Sequence, residues 1–539
     1  MRVEVLTGWK ARRYPATARP AGSRVVPWTT ALVMPLAGLL TAFVLRVWSL
    51  DRFPLREDEA LYGYWARLIA SGRDPMLERV AVDKPPFFLY SLAQVFTWFG
   101  PTVTVGRLLN VVCSLVAVLA LWVLARRVYD RPTADLAGWL FVVSPFAVAF
   151  APTLYTDPMM VAWLLLALAA ATTAGRAWGI PGGLLAGLGL GMAFATKQNA
   201  LLLAPLVVGA LLIAAWHRLP SRGRVYRIPL TLAAAGAGFY YVWFKVWQWD
   251  GWRILPAEIP DFWQQAWNTY GGLSLLPWEA WPERVRAWVE VWRWLGGSLA
   301  GTLALVLLVA VAVWADLRPG PAAPRQGDAS SALPRFWDAL FLSYGLVYLG
   351  VHVVFSFQPW DRYLLPLAPL LALLAARGVM VLRQMRTAWL RRPAPVLLAG
   401  LLVIGGLRAA DARIPVGGDH GGWSGIEQVA AYLQEVVPAE RGVLYHRWEG
   451  WHWNWYLWDG PHGRVYWADP AMLVADLAPN PTGYTRFVVF PGWHEDERPA
   501  LEAALRPYGL RLAPRLIVRR PDVPRPQFTV YQIVPIGAP

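Results

Sequence analysis

The run Glu57-Asp58-Glu59 sets three carboxylates side by side. Like charges that close repel, which raises the pKa of at least one of them. A carboxylate tuned upward is a useful general base. The run precedes Leu61, Tyr62, Trp65 and Leu68, which fall on one helical face, so an acidic helix N-terminus accounts for it as well. Another acid stands in Thr156-Asp157-Pro158, where Asp can cap and Pro can open a helix. The 46 Arg are joined by only four Lys: Lys10, Lys84, Lys197 and Lys245. Lys is a compact point charge suited to phosphate. Lys84 precedes Pro85-Pro86 and Lys197 sits in Thr196-Lys197-Gln198-Asn199. Snorkelling from a helix end explains Lys245 fully. In Gln358-Pro359-Trp360-Asp361-Arg362-Tyr363, Arg362 can bind an anionic headgroup or pair with Asp361.

What must position these groups is a membrane scaffold. Of 539 residues, 56% are hydrophobic and only 16% charged, well below the quarter usual in soluble domains. The apolar residues come in long blocks separated by short Arg-rich stretches, which excludes a soluble enzyme, a disordered tail and a fibrous protein. Runs long enough to span hydrocarbon lie near 28–49, 104–125, 134–151, 158–175, 180–196, 199–216, 228–249, 294–314, 337–357, 363–381 and 395–410, eleven in all.

The net charge of +15 is placed asymmetrically. With the N-terminal segment 1–27 inside, the inner segments, including the turn at Arg176, hold 21 basic residues and four acids. The outer loops 51–103 and 250–293 hold more acids than bases. This predicts a cytoplasmic N-terminus in the cell inner (plasma) membrane, a transmembrane module over 28–410 and an extracytoplasmic domain over 411–539. The first span reads as a retained anchor. The single cysteine, Cys113, lies in an apolar block, so the outer domain must fold without a disulfide.

Pro85-Pro86 should open a helix lying along the membrane surface. In the second outer loop, Trp252, Trp263, Trp267, Trp278, Trp281, Trp288 and Trp292 read as an interfacial belt, or as a surface stacking on a sugar or an isoprenoid chain. Gly182–Gly191 reads as close helix packing. Beyond Asp411, helices are expected at Gly425–Val437 and Glu497–Leu505. Strands are expected at Val443–Arg447, Val465–Ala468, Arg486–Phe490, Leu516–Arg519 and Phe528–Val534, a small α/β domain. Alternation of Trp451, Trp453 and Trp455 fits a strand face, either a carbohydrate platform or a surface docked on the membrane part. Five histidines, His420, His446, His452, His462 and His494, match no zinc spacing. No Walker motif, dinucleotide fingerprint or catalytic triad is present.

In order, the chain thus shows an acidic pair after the first span, Lys84-Pro85-Pro86, Thr156-Asp157-Pro158, Thr196-Lys197 and Arg362-Tyr363-Leu364-Leu365-Pro366. Over residues 28–381 this resembles the C-superfamily membrane glycosyltransferases, most closely the protein mannosyltransferases of glycosyltransferase family 39 and the lipid A aminoarabinose transferases. The resemblance implies a polytopic helical module with surface helices in the first outer loop and an external α/β domain. It implies transfer of a sugar from a polyprenyl phosphate to a hydroxyl on a protein, lipid or glycan acceptor, with inversion. Asp58 maps to the catalytic base with Glu59 beside it, Lys84 to the lipid phosphate, and Asp157, with Glu57, to a second acidic site. Arg362 and Lys197 map to the phosphate side. No cofactor beyond the lipid-linked donor is required, no metal ligands are assigned, a divalent ion is left open, and nucleic acid is not a partner. One rival reading is a lipid or glycan transporter or flippase, which would explain many spans and buried charges; the candidate charges lie at one face instead of mid-membrane, and no repeat of hydropathy is seen. A second is a non-catalytic membrane assembly or sensor protein whose aromatic outer domain binds glycan.

Overall fold

The computed structural model describes residues 28–175, 179–269, 274–318, 329–460, 463–480 and 483–538. The N-terminal segment 1–27, Arg176 and His462 lie outside them. The chain begins with α1 (Trp28–Val47), α2 (Glu57–Ala70), α3 (Pro86–Phe99), α4 (Val103–Val128), α5 (Arg131–Val142), α6 (Pro145–Phe150), α7 (Asp157–Ala171) and α8 (Gly179–Thr196). It continues through α9 (Ala204–Arg218), α10 (Ser221–Trp252), α11 (Phe262–Thr269), α12 (Trp281–Trp292), α13 (Leu299–Leu317), α14 (Ala329–Val354), α15 (Leu367–Arg383), α16 (Ala388–Arg391) and α17 (Pro393–Ala410).

Among the described residues six helices are long and apolar enough to cross a membrane, and two shorter apolar ones, Leu32–Val47 and Asp157–Ala171, accompany them. The stretch expected as one span over 134–151 is broken into α5 and α6, with Ser144 between them and Pro145 opening α6. A residue before proline is driven from the helical region, and proline itself suits a first turn. The glycine stretch packs closely, as expected. A methyl group on Gly183 or Gly187 would strike the carbonyls of Thr231 and Ala235 on α10, so α8 and α10 approach backbone to backbone.

The C-terminal part carries α18 (Ile426–Val436), β1 (Gly442–His446), α19 (Gly450–Tyr456), β2 (Gly463–Tyr466), α20 (Pro470–Leu477), β3 (Thr485–Pro491), α21 (Arg498–Leu505), β4 (Leu510–Arg519) and β5 (Pro526–Pro535). The strands form one sheet in the order β2-β1-β3-β5-β4, parallel through β2-β1-β3 and antiparallel beyond. Alternating residues feed two cores: Leu444, Phe487 and Val489 pack with α18 and α19, whereas Tyr445, Val488 and Phe490 pack with α20 and α21. A period of two along each strand produces that division.

The expected strand at Trp451–Trp455 is a helix, α19. Its residues serve two surfaces. Trp453 enters the domain core, while Trp455 packs on the membrane module, its ring 5.8 Å from that of Phe96. Trp451 lies 6.5 Å from Trp65. Helical spacing separates those directions; a strand would have pointed Trp451, Trp453 and Trp455 one way. Two further bonds tie the domain down, from Arg67 Nη1 to Trp455 O at 3.2 Å and between His452 Nε2 and Leu55 O at 3.0 Å.

Candidate active site

Glu57, Asp58 and Glu59 form the first turn of α2 and have different surroundings. Glu59 is fully buried. One of its oxygens accepts from the Arg56 backbone N–H at 3.2 Å and from Arg56 Nη1 at 3.0 Å. The other accepts from Leu154 N at 2.9 Å and lies 3.5 Å from Arg107 Nε. Arg107, on α4, also donates to the carbonyls of Leu50, Phe53 and Pro54. Glu59 therefore fastens the start of α2 to α4 and to the loop before α7. It does not line the cavity beside Asp58, which corrects its expected place among the reacting groups: a fully buried carboxylate held by two arginines and two backbone amides is not open to a substrate there.

One residue earlier, Asp58 opens into a cavity of about 900 Å³ between the membrane module and the C-terminal domain. Its Oδ2 lies 2.6 Å from Arg362 Nη1. Arg362 follows Trp360 and Asp361 in a short 3₁₀ turn, and its guanidinium lies 4.9 Å from the centre of the Tyr155 ring. Arg362 does not spend its charge on the neighbouring Asp361. That carboxylate accepts from the Arg362, Gly417 and Gly418 amides and so ties the turn to the linker. Gly417 and Gly418 have φ of 67° and 74°, a left-handed conformation natural to glycine.

Two lysines complete the wall. Lys84 pairs with Asp83 and stands 5.9 Å from the centre of the Tyr62 ring. Pro86 is the first residue of α3, as the Pro-Pro pair predicts. Lys197 Nζ donates to both Asp157 oxygens at 2.7 and 2.8 Å. Gln198 Nε2 donates to Asp83 O at 2.6 Å, joining the two lysine-bearing turns. Asp157 begins α7 but does not line the cavity; it reaches the site only through Lys197. Lys245 bonds Gln248 on exposed α10, outside the site.

Electrostatics separates the acids. Partial burial and the adjacent Asp58 push Glu57 up to about 7, with Arg362 opposing. Glu57 is nonetheless accessible from the cavity. Burial raises Asp58, but Arg362, Lys84 and Lys197 outweigh it and hold the carboxyl below its usual range. Burial lowers Lys197 to about 8 despite Asp157. Among the described residues no group of three His, Cys, Asp or Glu is arranged to hold a metal ion, and the cavity acids Asp58 and Asp83 each face a cation.

The sequence reading missed the upper wall. Trp423 and Trp493 meet edge to face at 5.2 Å, with Arg520, Arg525 and Gln527 nearby along the cavity. Tyr155 and Arg56 line it below. No local signal joins residues 423, 493 and 525 to Asp58, because only the tertiary fold brings the sheet edge over α2. Beside the lysines lies an apolar groove of about 210 Å³, lined by Phe194, Leu201, Phe262, Trp263 and Trp267 with Gln198 at one end. Of the loop tryptophans, Trp288 is instead buried, donating to His352 O at 2.7 Å, while Trp278 is exposed.

The fold is that of ArnT from Cupriavidus metallidurans, whose structure bound to undecaprenyl phosphate superposes with a TM-score of 0.58 at 16% identity, covering 94% of this chain and 98% of that one. The chain shares that fold. A second solved structure with this fold, the Archaeoglobus fulgidus oligosaccharyltransferase, aligns at a TM-score of 0.53 and 12% identity over 86% of this chain and 70% of that one. Residues 83–243 match the family model for dolichyl-phosphate-mannose-protein mannosyltransferase. That stretch includes Lys84, Asp157 and Lys197. The undecaprenyl phosphate-alpha-4-amino-4-deoxy-L-arabinose arabinosyl transferase of Erwinia tasmaniensis is 26% identical over 321 residues, 55% of this chain. The match spans half the length of that relative. The resemblance read from the motifs, to C-superfamily mannosyltransferases and aminoarabinose transferases, thus holds in both sequence and fold.

Proposed function

We propose that this protein is a polytopic membrane glycosyltransferase that moves a sugar from a polyprenyl-phosphate donor to an acceptor hydroxyl, with Asp58 as general base. The observation that carries the reading is the Asp58–Arg362 pair in a cavity also walled by Lys84 and Lys197. The relatives named for undecaprenyl phosphate and dolichyl phosphate support the donor class.

The donor's phosphate is the natural ligand for the three cations, and its isoprenoid chain suits the apolar groove beside Lys197 and Gln198. Once the phosphate engages Arg362, Asp58 loses its strongest counter-charge. Its proton affinity then rises at the moment a base is required. The acceptor oxygen attacks the anomeric carbon as its proton passes to Asp58. The bond from that carbon to the phosphate oxygen breaks, and the lipid phosphate leaves with the electron pair. Lys84, Lys197 and Arg362 neutralise the growing negative charge. Displacement from the face opposite the phosphate inverts the anomeric configuration. Glu59 and Arg107 are positioning residues that fix the first turn of α2.

The charge asymmetry supports a cytoplasmic N-terminus in a plasma-membrane protein, with the cavity and C-terminal domain outside. Nucleotide sugars are cytoplasmic, so an outward-facing site calls for a lipid-linked donor.

The test is turnover of a panel of radiolabelled polyprenyl-phosphate sugars by full-length protein in nanodiscs, wild type beside Asp58→Asn. Release or transfer of sugar by wild type, with loss in the variant, is the expected result. Transport of intact donor between leaflets, with the sugar–phosphate bond uncleaved, would replace this reading with the flippase one.

A further inference from the structure

The cavity beside Asp58 is built from two bodies. Lys84, Lys197 and Arg362 belong to the membrane module, whereas the upper wall belongs to the C-terminal domain. At about 900 Å³ the cavity lies near the top of the range for small-ligand sites, about 300–1,000 Å³. Electrostatic reach sets the order of the groups inside it. Arg362, Lys84 and Lys197 act on Asp58. Glu57 is acted on by Asp58 and Arg362 and in turn repels Glu449 of the C-terminal domain. Asp58 thus faces the cations and Glu57 faces the upper wall. A group resting on that wall approaches Asp58 from the side away from the phosphate site.

The wall is aromatic and rigidly held. Trp423 and Trp493 meet at 81°, and Trp493 packs on Phe528 of β5 at 5.9 Å. Behind Trp423 the fully buried His452 ring stacks at 4.1 Å. His452 Nε2 donates to Leu55 O, three residues before Asp58. On its other side the Trp423 loop is tied by Asp419. That carboxylate accepts from the Gly421 and Gly422 amides at 2.8 and 2.6 Å and lies 3.5 Å from Arg56 Nε. The aromatic wall and the turn that presents Asp58 are therefore in fixed register.

Open donors accompany the rings. Neither the Trp423 nor the Trp493 indole N–H is buried or hydrogen-bonded among the described residues. Arg520 is spent on Asp522 and on the His420 and Gly421 carbonyls. Arg525 lines the cavity exposed, without an ion pair or hydrogen bond among the described residues. A sugar ring presents C–H groups on its face and hydroxyls around its rim. Indole faces suit the first, and indole and guanidinium N–H groups suit the second.

We propose that this wall is an acceptor subsite for a sugar ring, so that the hydroxyl attacking at Asp58 belongs to a saccharide. The inference rests on the glycosyltransfer reading above. The acceptor sugar's oxygen bonds the anomeric carbon, and its proton passes to Asp58. The bond from that carbon to the phosphate oxygen breaks, its electron pair leaving with the phosphate. The product is a glycosidic linkage.

The test uses full-length protein in nanodiscs, a radiolabelled polyprenyl-phosphate sugar panel and three acceptor pools: oligosaccharides, peptides and sugar-free phospholipids. Label should enter the oligosaccharides, in a linkage that survives the mild acid that cleaves glycosyl phosphates. Trp493→Ala should raise the acceptor KM about tenfold and leave the donor Kd unchanged, with Trp493→Phe recovering most of the loss. Arg525→Ala, at an exposed position, should raise the same KM severalfold. Tyr508→Ala, an exposed aromatic of the same domain outside the cavity, should match wild type. Label in peptide or phospholipid, an acid-labile product, or an unchanged acceptor KM in both wall variants overturns the inference and leaves the transferase reading standing. So does a weakened donor Kd in Trp493→Ala with the acceptor KM intact, which would give the wall to the donor's sugar. Cleavage of no donor by wild type overturns the transferase reading itself. Independently of activity, saturation-transfer NMR should show oligosaccharide ring protons in contact with wild type and not with Trp493→Ala of unchanged melting temperature. Contact that persists in that variant counts against the subsite.

Discussion

Arg362 Nη1 lies 2.6 Å from Asp58 Oδ2, joining a 3₁₀ turn before α15 to the first turn of α2 across 304 residues of sequence. In the proposed reaction the pair keeps the base ionised and gives up the arginine when phosphate arrives. Arg362→Ala should therefore lower kcat about 10²–10³-fold, the range for loss of one oxyanion-stabilising donor. Arg362→Lys should recover part of the charge but not a two-pronged contact to phosphate. Single-turnover cleavage of a labelled donor measures both.

Glu57 and Asp58 separate by pH. Glu57 has been pushed up to about 7 and Asp58 held below the usual carboxylate range. An Asp58 base stays ionised across neutral pH, so on the acid side kcat/KM should fall only in strong acid, with a modest inflection near 7 as Glu57 titrates. Glu57→Gln should erase that inflection and keep most of the rate. Asp58→Asn should cost about 10²–10⁴-fold. The reverse ranking in a pH–rate series would assign the base to Glu57.

With the proposed phosphate site, the buried Lys197–Asp157 pair couples stability to donor binding. Their side chains are 2% and 1% exposed. Removing one member of such a pair costs about 3–5 kcal/mol, mostly from stranding the other. Asp157→Asn should therefore lower the melting temperature. Asp157→Leu combined with Lys197→Met should recover much of it and still fail to bind donor. Lys197 sits at about 8 because burial outweighs Asp157. Donor affinity should weaken as pH rises through about 8, and in Asp157→Asn the weakening should begin at lower pH. Titration of donor affinity against pH reads both.

In the C-terminal domain, Glu449 is fully buried and raised to about 7 by that burial. Its own, Arg447 and Trp448 amides relieve part of the cost without completing a hydrogen bond to either oxygen. A carboxyl raised on folding binds its proton more tightly in the native state. Stability is then lost as pH rises from the unfolded value towards the folded one, here between about 4.5 and about 7. Glu449→Gln should raise the melting temperature at pH 8 and leave it nearly unchanged at pH 4, by differential scanning fluorimetry.

Elements that depend on local pattern were legible in the sequence. Apolar runs located the six long apolar helices among the described residues, Pro85-Pro86 the start of α3, and short β-like runs the strands that became β1, β3 and β5. Lys84, Asp58, Lys197 and Arg362 were named as site residues, and they do surround one cavity. Roles set by tertiary partners were not legible. Glu59 looked equivalent to Asp58 until Arg107 and Leu154 claimed its oxygens. Asp157 looked like a second reacting acid until Lys197 took both of its own. The tryptophans of α19 mimicked a strand because alternating large residues are also what a short helix needs when it is wedged between two hydrophobic surfaces.

The seating of α19 on α2 sets the rules for recombination among proteins of this shape. A Cβ added at Gly63 would approach the Trp455 ring to 3.1 Å, so the helix that presents Asp58 is fitted to a helix almost four hundred residues away. A natural splice or an engineered chimera cut after Asp411 would exchange one half of that fit and keep the other. The segments carrying α2 and α19 must travel together for the first turn of α2 to keep its aim.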